Sequence, residues 1–164
     1  MRLFLKNLAF LFFVQGTAAI VVPLFFLDRQ AFSLGAFRWT GLIFLLAGAA
    51  AVLWCDWDFW RSGRGTPSPV DPPKVMVSRG LYRFVRNPMY IGVLFVITGE
   101  AILFASWPIA MYALSAALAF HLFVLLYEEP TLRSKFGPAY EEYLRSVPRW
   151  IPRFQKARFD QDGE

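Results

Sequence analysis

Apolar residues along the chain gather into four long runs separated by polar or short connecting segments. The first, Leu8 to Leu27, holds about 20 residues, enough at about 1.5 Å of rise per residue to cross a hydrocarbon core of roughly 30 Å. It continues through Ile20 past the small residues Thr17 to Ala19, where a cleaved leader would end, so a spanning helix is expected there, kinked at Pro23. The second run follows a polar turn at Asp28, Arg29 and Gln30, extends from Thr40 to Cys55 and closes on Trp54, Trp57 and Trp60. Their helical spacing and amphipathic rings suit a headgroup-level anchor better than an aromatic cofactor cage.

A polar stretch from Arg61 to Asn87 carries Gly63, Gly65, Pro67, Pro69, Pro72 and Pro73, which forbid a continuous helix. The third run, Tyr90 to Ala105, breaks at Ser106, Trp107 and Pro108 and resumes from Ile109 to Tyr127, the pattern of a tight helical hairpin. Beyond Tyr127 the chain is mixed and amphipathic through Leu144, stops at Val147 and Pro148, and ends in a polar tail from Gln155 expected to be disordered. The pattern predicts an all-α polytopic membrane protein of about four transmembrane helices. It forms one membrane-embedded domain over 1–164: two spans in 1–60, a core in 61–154 made of the hairpin and a C-terminal cap, and the tail 155–164.

Composition agrees with that solvent: 57% of the 164 residues are hydrophobic and 18% aromatic against 18% charged, more apolar than soluble domains of this size. The net charge of +5 does not indicate nucleic acid, because the 17 Lys and Arg crowd between the apolar runs and leave only Arg29 and Arg38 outside three basic segments. Four spans put those segments and both termini on one side, which the positive-inside bias identifies as cytoplasmic, here of a bacterial inner membrane. Cys55 is the single cysteine, so no internal disulfide forms, and no Cys/His cluster has metal-ligand spacing.

Two polar stretches abut the basic ends of the hairpin: Arg79 to Gly92, and the run opening with Glu128, Glu129 and Pro130. Together they offer guanidinium groups for a carboxylate, carboxylates for hydroxyls, and aromatic rings. Two explanations stand side by side: a cofactor site, or juxtamembrane anchoring by Arg83 and Arg86 with the glutamates capping a helix end. Glu100 falls about 15 Å beyond Tyr90, near the bilayer middle, where an unpaired carboxylate is expensive; it is a catalytic candidate or a packing hydrogen bond. His121 precedes Glu128 by two helical turns and shares its face, as a catalytic candidate or a histidine bonded to a backbone carbonyl.

Arg86, Asn87, Pro88 and Tyr90, then an apolar span, then Glu128 with Glu129, resemble the Arg-His-Pro-x-Tyr element and Glu-Glu pair of the isoprenylcysteine carboxyl methyltransferase family. Downstream, Glu129, Pro130, Leu132, Phe136, Gly137, Tyr140, Tyr143, Val147, Pro148 and Pro152 are similar to that family in spacing, so the resemblance covers Gly65 to Pro152. It implies an S-adenosylmethionine-dependent methyltransferase acting on a lipid or lipid-modified acceptor. The cofactor would lie on Tyr82, Arg83, Arg86, Asn87, Pro88, Tyr90, Gly92, Glu128, Glu129 and Leu132, with Arg86, Glu128, Glu100 and His121 as catalytic candidates. The usual histidine is Asn87, which can hydrogen-bond but cannot titrate near neutrality.

The acceptor stays open between a prenylcysteine-like carboxylate and a phospholipid amine, since the motif residues face the shared cofactor. Two further readings remain: an NADPH-dependent membrane reductase of the sterol type, whose C-terminal region is similar in outline, and a non-enzymatic membrane scaffold with a basic face for anionic lipids.

Overall fold

The computed structural model of the protein describes residues 16–25, 33–62 and 78–153. The start of the first apolar run, Trp60's side chain, residues 63–77 and the tail from Gln155 lie outside the described residues. Every regular element among the described residues is helical. A π turn, Thr17–Val21, runs into α1, Val22–Phe25. The irregularity expected at Pro23 takes this form: Val22 N–H reaches back to the Thr17 carbonyl just before a residue that has no N–H and crowds the preceding turn.

A 3₁₀ turn at Gly35–Trp39 opens α2, Thr40–Ser62. The helix thus continues past the apolar run, which closes at Cys55, through the tryptophan belt to Ser62. Nothing between Asp56 and Ser62 interrupts the backbone, the Trp54 side chain bonds to Asp58 one turn on, and the first glycine comes only at Gly63.

After a second 3₁₀ turn, Gly80–Arg83, Pro88 starts α3, Pro88–Leu103, at the position where its missing N–H costs nothing. The hairpin then forms as expected. Ser106 N–H donates to the Ala101 carbonyl at 3.0 Å and Ala105 N–H to Ile102 at 3.1 Å, the paired bonds of a Schellman ending, with Ala105 at φ 49° where glycine is usual. Ser106 Oγ accepts from Ile109 N–H at 3.5 Å and caps α4, Trp107–Phe123.

The fourth run does not end near Tyr127. A π turn, Val124–Glu128, joins α4 to α5, Glu129–Phe136, so that one unbroken helix spans Trp107–Phe136. Glu128 and Glu129 therefore lie inside a helix and do not cap its end; the wide turn absorbs the N–H missing at Pro130. Gly137, at φ 53°, stops α5 and starts α6, Pro138–Ser146.

α2 and α3 pack antiparallel through glycines seven apart on each helix, hence on one face. A Cβ at Gly48 would lie 2.5 Å from the Gly92 carbonyl oxygen, and one at Gly41 2.5 Å from that of Gly99. Small residues let the backbones touch, the usual device where lipid removes any hydrophobic drive between helices. The outward faces are apolar: Ile43, Leu46, Leu114, Leu118 and Leu126 are between 60% and 75% exposed, which suits lipid and not water.

Gly35–Phe59, 25 residues, and Trp107–Phe136, 30 residues, are long and apolar enough to cross a membrane. α3 is also apolar and shorter, at 16 residues. Exposed Trp39 and Trp107 mark the hairpin end of the bundle, and exposed Trp54 and Trp57 the other.

Candidate functional site

At the end of the bundle opposite the hairpin, the chain reaches α3 through a short non-helical linker, Phe84 to Asn87, whose last residue Pro88 disfavours in a helical conformation. Arg86 sits in this linker and its side chain is nearly buried, at 12% exposure. Its Nη1 donates to Glu129 Oε1 at 2.7 Å, across 43 residues of sequence. From the C-terminal side Arg149 donates twice to the same carboxylate, Nε to Oε1 at 2.7 Å and Nη2 to Oε2 at 3.0 Å. Glu129, only 4% exposed, thus links the linker to the segment after α6. Arg133, four residues after Glu129 and so within reach of it on a helix surface, pairs elsewhere: its Nε donates to Glu141 Oε1 at 2.9 Å, while Glu129 is buried.

Glu128 points along the other side of the helix and accepts from Tyr90 Oη at 3.0 Å, while the Tyr90 ring lies 4.8 Å from that of Phe120. The π turn separates two adjacent glutamates onto different partners, the kind of local irregularity that recurs at functional sites.

The chain after α6, Val147 to Arg153, forms a strap without helix. Arg86 N–H donates to the Pro148 carbonyl at 2.9 Å, and Arg153 N–H to that of Phe84 at 3.0 Å. Asn87 Nδ2 donates to the Arg149 carbonyl at 3.2 Å. Trp150 Nε1 donates to His121 Nδ1 at 3.0 Å, which ties the strap to α4.

Tyr140, Tyr143 and Val147 pack with Leu132 and Phe136 beneath it, and Tyr143 Oη donates to the Tyr82 carbonyl at 2.8 Å. Burial, reinforced by the Glu129 charge, pushes the Tyr140 phenol up to about 12, while burial first of all raises Tyr82 and Tyr143 well above the ordinary tyrosine range. These phenols are neutral near pH 7, and the Tyr140 oxygen accepts from Arg86. Hydrogen bonding to Glu129 raises the Arg149 guanidinium further.

Of the residues expected at a site, the structure brings together Arg86, Asn87, Tyr90, Glu128, Glu129 and, just below, Leu132. Tyr82 lies under α2 with Phe59 at 5.8 Å between rings, and Pro88 is buried at the helix start. Arg83 is exposed at the rim. Gly92 belongs to the α2–α3 contact, where a Cβ would meet Val52 at 2.8 Å.

Glu100 is remote. It stands in the last turn of α3, about 18 Å of helical rise from Pro88. That is near the hairpin and not mid-helix, because α3 closes at Leu103; Glu100 is buried beside Tyr112, and its Oε2 has no partner among the described residues. His121 accepts from the Trp150 indole of the strap.

Arg149 and Trp150 went unnoticed in the sequence. The nearest signal in the sequence is that Pro148 and Pro152 bracket them and interrupt any helix there.

Comparison with known proteins gives this geometry a setting. The family model for phospholipid methyltransferase matches residues 36–139, from the turn before α2 to the start of α6. Methanethiol S-methyltransferase 2 of Bradyrhizobium diazoefficiens is 36% identical over 81 residues, 49% of this chain and 30% of that protein. Protein-S-isoprenylcysteine O-methyltransferase of Schizosaccharomyces pombe is 31% identical over 78 residues, 48% of this chain and 33% of that protein. The matched stretch spans about a third of each of these curated relatives.

Proposed function

The chain belongs to the phospholipid methyltransferase family, and on that premise we propose that it moves a methyl group from S-adenosylmethionine to a lipophilic acceptor at the membrane. The observation that carries the reading is the convergence of Arg86, Tyr90, Glu128 and Glu129 from two distant stretches, with the buried Arg86 Nε lacking a partner among the described residues.

That donor suits the cofactor's carboxylate. A guanidinium already anchored through Nη1 keeps a direction toward a second acceptor. Glu128, steadied by Tyr90, would accept from the ribose hydroxyls. The cofactor, when bound, supplies an electrophilic methyl.

The chain's part is mostly to position and to exclude water. A carboxylate acceptor, of prenylcysteine type or on another lipid, arrives ionised and needs no base. An amine must first lose a proton, and Glu128 is the group at the site able to take it. His121 is poorly placed as a base: its Nδ1 already accepts from Trp150, so the neutral ring carries its proton on Nε2. Glu100, at the far end of α3, has no part in the transfer.

The site faces the cytoplasm in this reading, supported by the crowding of Arg61, Arg79, Arg83, Arg133, Lys135, Arg145 and Arg153 at that end against Arg38 at the other. Calorimetry of the detergent-solubilised protein with S-adenosylhomocysteine, then transfer of labelled methyl into a membrane lipid extract, tests the proposal. We expect one cofactor bound per chain and label in a lipid fraction. Binding of NADPH with no binding of S-adenosylhomocysteine would replace a transferase by a reductase.

A further inference from the structure

We propose that Asn87 is a positioning residue that acts through Arg149, closing a four-residue ring, Arg86, Glu129, Arg149 and Asn87, that locks the strap over the site. Its consequence for cofactor binding rests on the methyltransferase reading; the locking of the strap does not. The strap lies beyond the stretch matched by the family model, which ends at residue 139.

The ring closes through four links. Arg86 and Asn87 are peptide neighbours. Arg86 grips the Glu129 carboxylate at 2.7 Å, Glu129 is held by the Arg149 side chain at 2.7 and 3.0 Å, and the Arg149 carbonyl accepts from Asn87 Nδ2 at 3.2 Å. One arginine is therefore held at both its main chain and its side chain, by two consecutive residues of the linker acting directly and through Glu129. Asn87 is 6% exposed, so water is a poor substitute for either partner of its bond. The adjoining bond from Arg86 N–H to Pro148 is fixed by backbone alone. Asn87 supplies a side-chain link between linker and strap backbones, and it fixes where the Arg149 guanidinium starts.

A held guanidinium keeps Glu129 and Arg86 in one arrangement before any ligand arrives, which removes an ordering cost from binding. What this demands of position 87 is a donor with reach, not a group that titrates. A carboxylate there would face a carbonyl oxygen and repel it, whereas a ring N–H could replace the amide.

Hydrogen–deuterium exchange on the cofactor-free protein is the first arm of the test. In Asn87→Asp we expect peptides covering 84–87 and 149–153 to exchange roughly tenfold faster, the weight of one buried hydrogen bond, while peptides of α3 and α4 keep wild-type rates. Asn87→His should stay near wild type. The second arm is S-adenosylhomocysteine affinity. Asn87→Asp should weaken it about tenfold in the wild-type background and no more than about twofold when Arg149→Gln is already present.

Unchanged exchange at the strap in Asn87→Asp overturns the proposal, as do equally faster exchange in all helices or losses that multiply with Arg149→Gln. Failure of the wild-type protein to bind S-adenosylhomocysteine, with the strap loosened selectively, would remove the methyltransferase reading and leave the lock standing.

Discussion

Glu129 sits between two guanidiniums in a nearly dry setting, so neutralising it strands both. Glu129→Gln is expected to destabilise the fold by about 3–5 kcal/mol, read as a lowered Tm and loss of monodispersity in detergent. Glu128→Gln keeps an amide oxygen for the Tyr90 phenol and removes only the charge, so it should leave Tm nearly unchanged while weakening S-adenosylhomocysteine roughly tenfold or more. Identical behaviour of the two mutants would contradict the division of labour between them. Arg86→Lys keeps the charge but not the planar fork, and it should lose most turnover in a protein that still folds. Exposed Arg79→Lys, outside the ring, is the control; equal mild losses would reduce Arg86 to an anchoring charge. Tyr140 gives a pH prediction. Its phenol is held protonated in the fold up to about 12 against 10.0 for an unperturbed tyrosine. The contribution is complete below pH 10 and is lost as pH rises toward 12, because the unfolded chain releases its proton first. Tyr140→Phe should flatten the alkaline fall of Tm between these values, and an unaltered pH profile would refute the assignment.

Among the elements, the α2–α3 contact and the turn before α3 depend on the absence of side chains. Gly48→Ala places a methyl 2.5 Å from the Gly92 carbonyl oxygen and should destabilise by about 1–3 kcal/mol as the helices separate. Ala47→Val, one residue away on the exposed side, should have little effect on Tm. At Gly80 the requirement is double, since φ is 56° and an added Cβ would run into Asp58 Oδ2. That carboxylate and Trp54 press the 3₁₀ turn against α2, which sets where the linker and then Arg86 begin. The strap is the counterpart without helix: Pro148 and Pro152 interrupt any helix there, and its bonds reach the linker, α4, α5 and the end of α6.

At the scale of the molecule the bundle has two distinct ends. The hairpin end is thin in charge and bears Trp39 and Trp107; the other bears the ring, the strap and most of the arginines among the described residues. Cysteine labelling can read which end faces which compartment, and Cys55, fully buried, stays silent. Ser106 is a poor reporter because it is buried and caps α4; Phe104, exposed in the turn, is better. Phe104→Cys is expected to react from outside the cell and Arg145→Cys from the cytoplasm. Reaction of both from the same side would sink the proposed sidedness.

The sequence by itself determined the solvent, the helical class, the hairpin and the motif family. Apolar run length, breaker residues and basic clustering are one-dimensional signals, each read from a window shorter than the element it predicts. The resemblance to a methyltransferase family also pointed to Arg86, Tyr90, Glu128 and Glu129, which the fold brings to one end of the bundle. Only tertiary structure decided their partners. Whether Glu129 pairs with Arg133 four residues on or with Arg86 and Arg149 at distances of 43 and 20 residues depends on which way burial turns it, and no local pattern encodes that. The helix through Glu128 is likewise continuous only because a π turn accommodates Pro130, a choice set by packing. Asn87 shows the limit most plainly: its chemistry was legible as a donor that cannot titrate, but its acceptor lies 62 residues away on a strap that the helical pattern left without form.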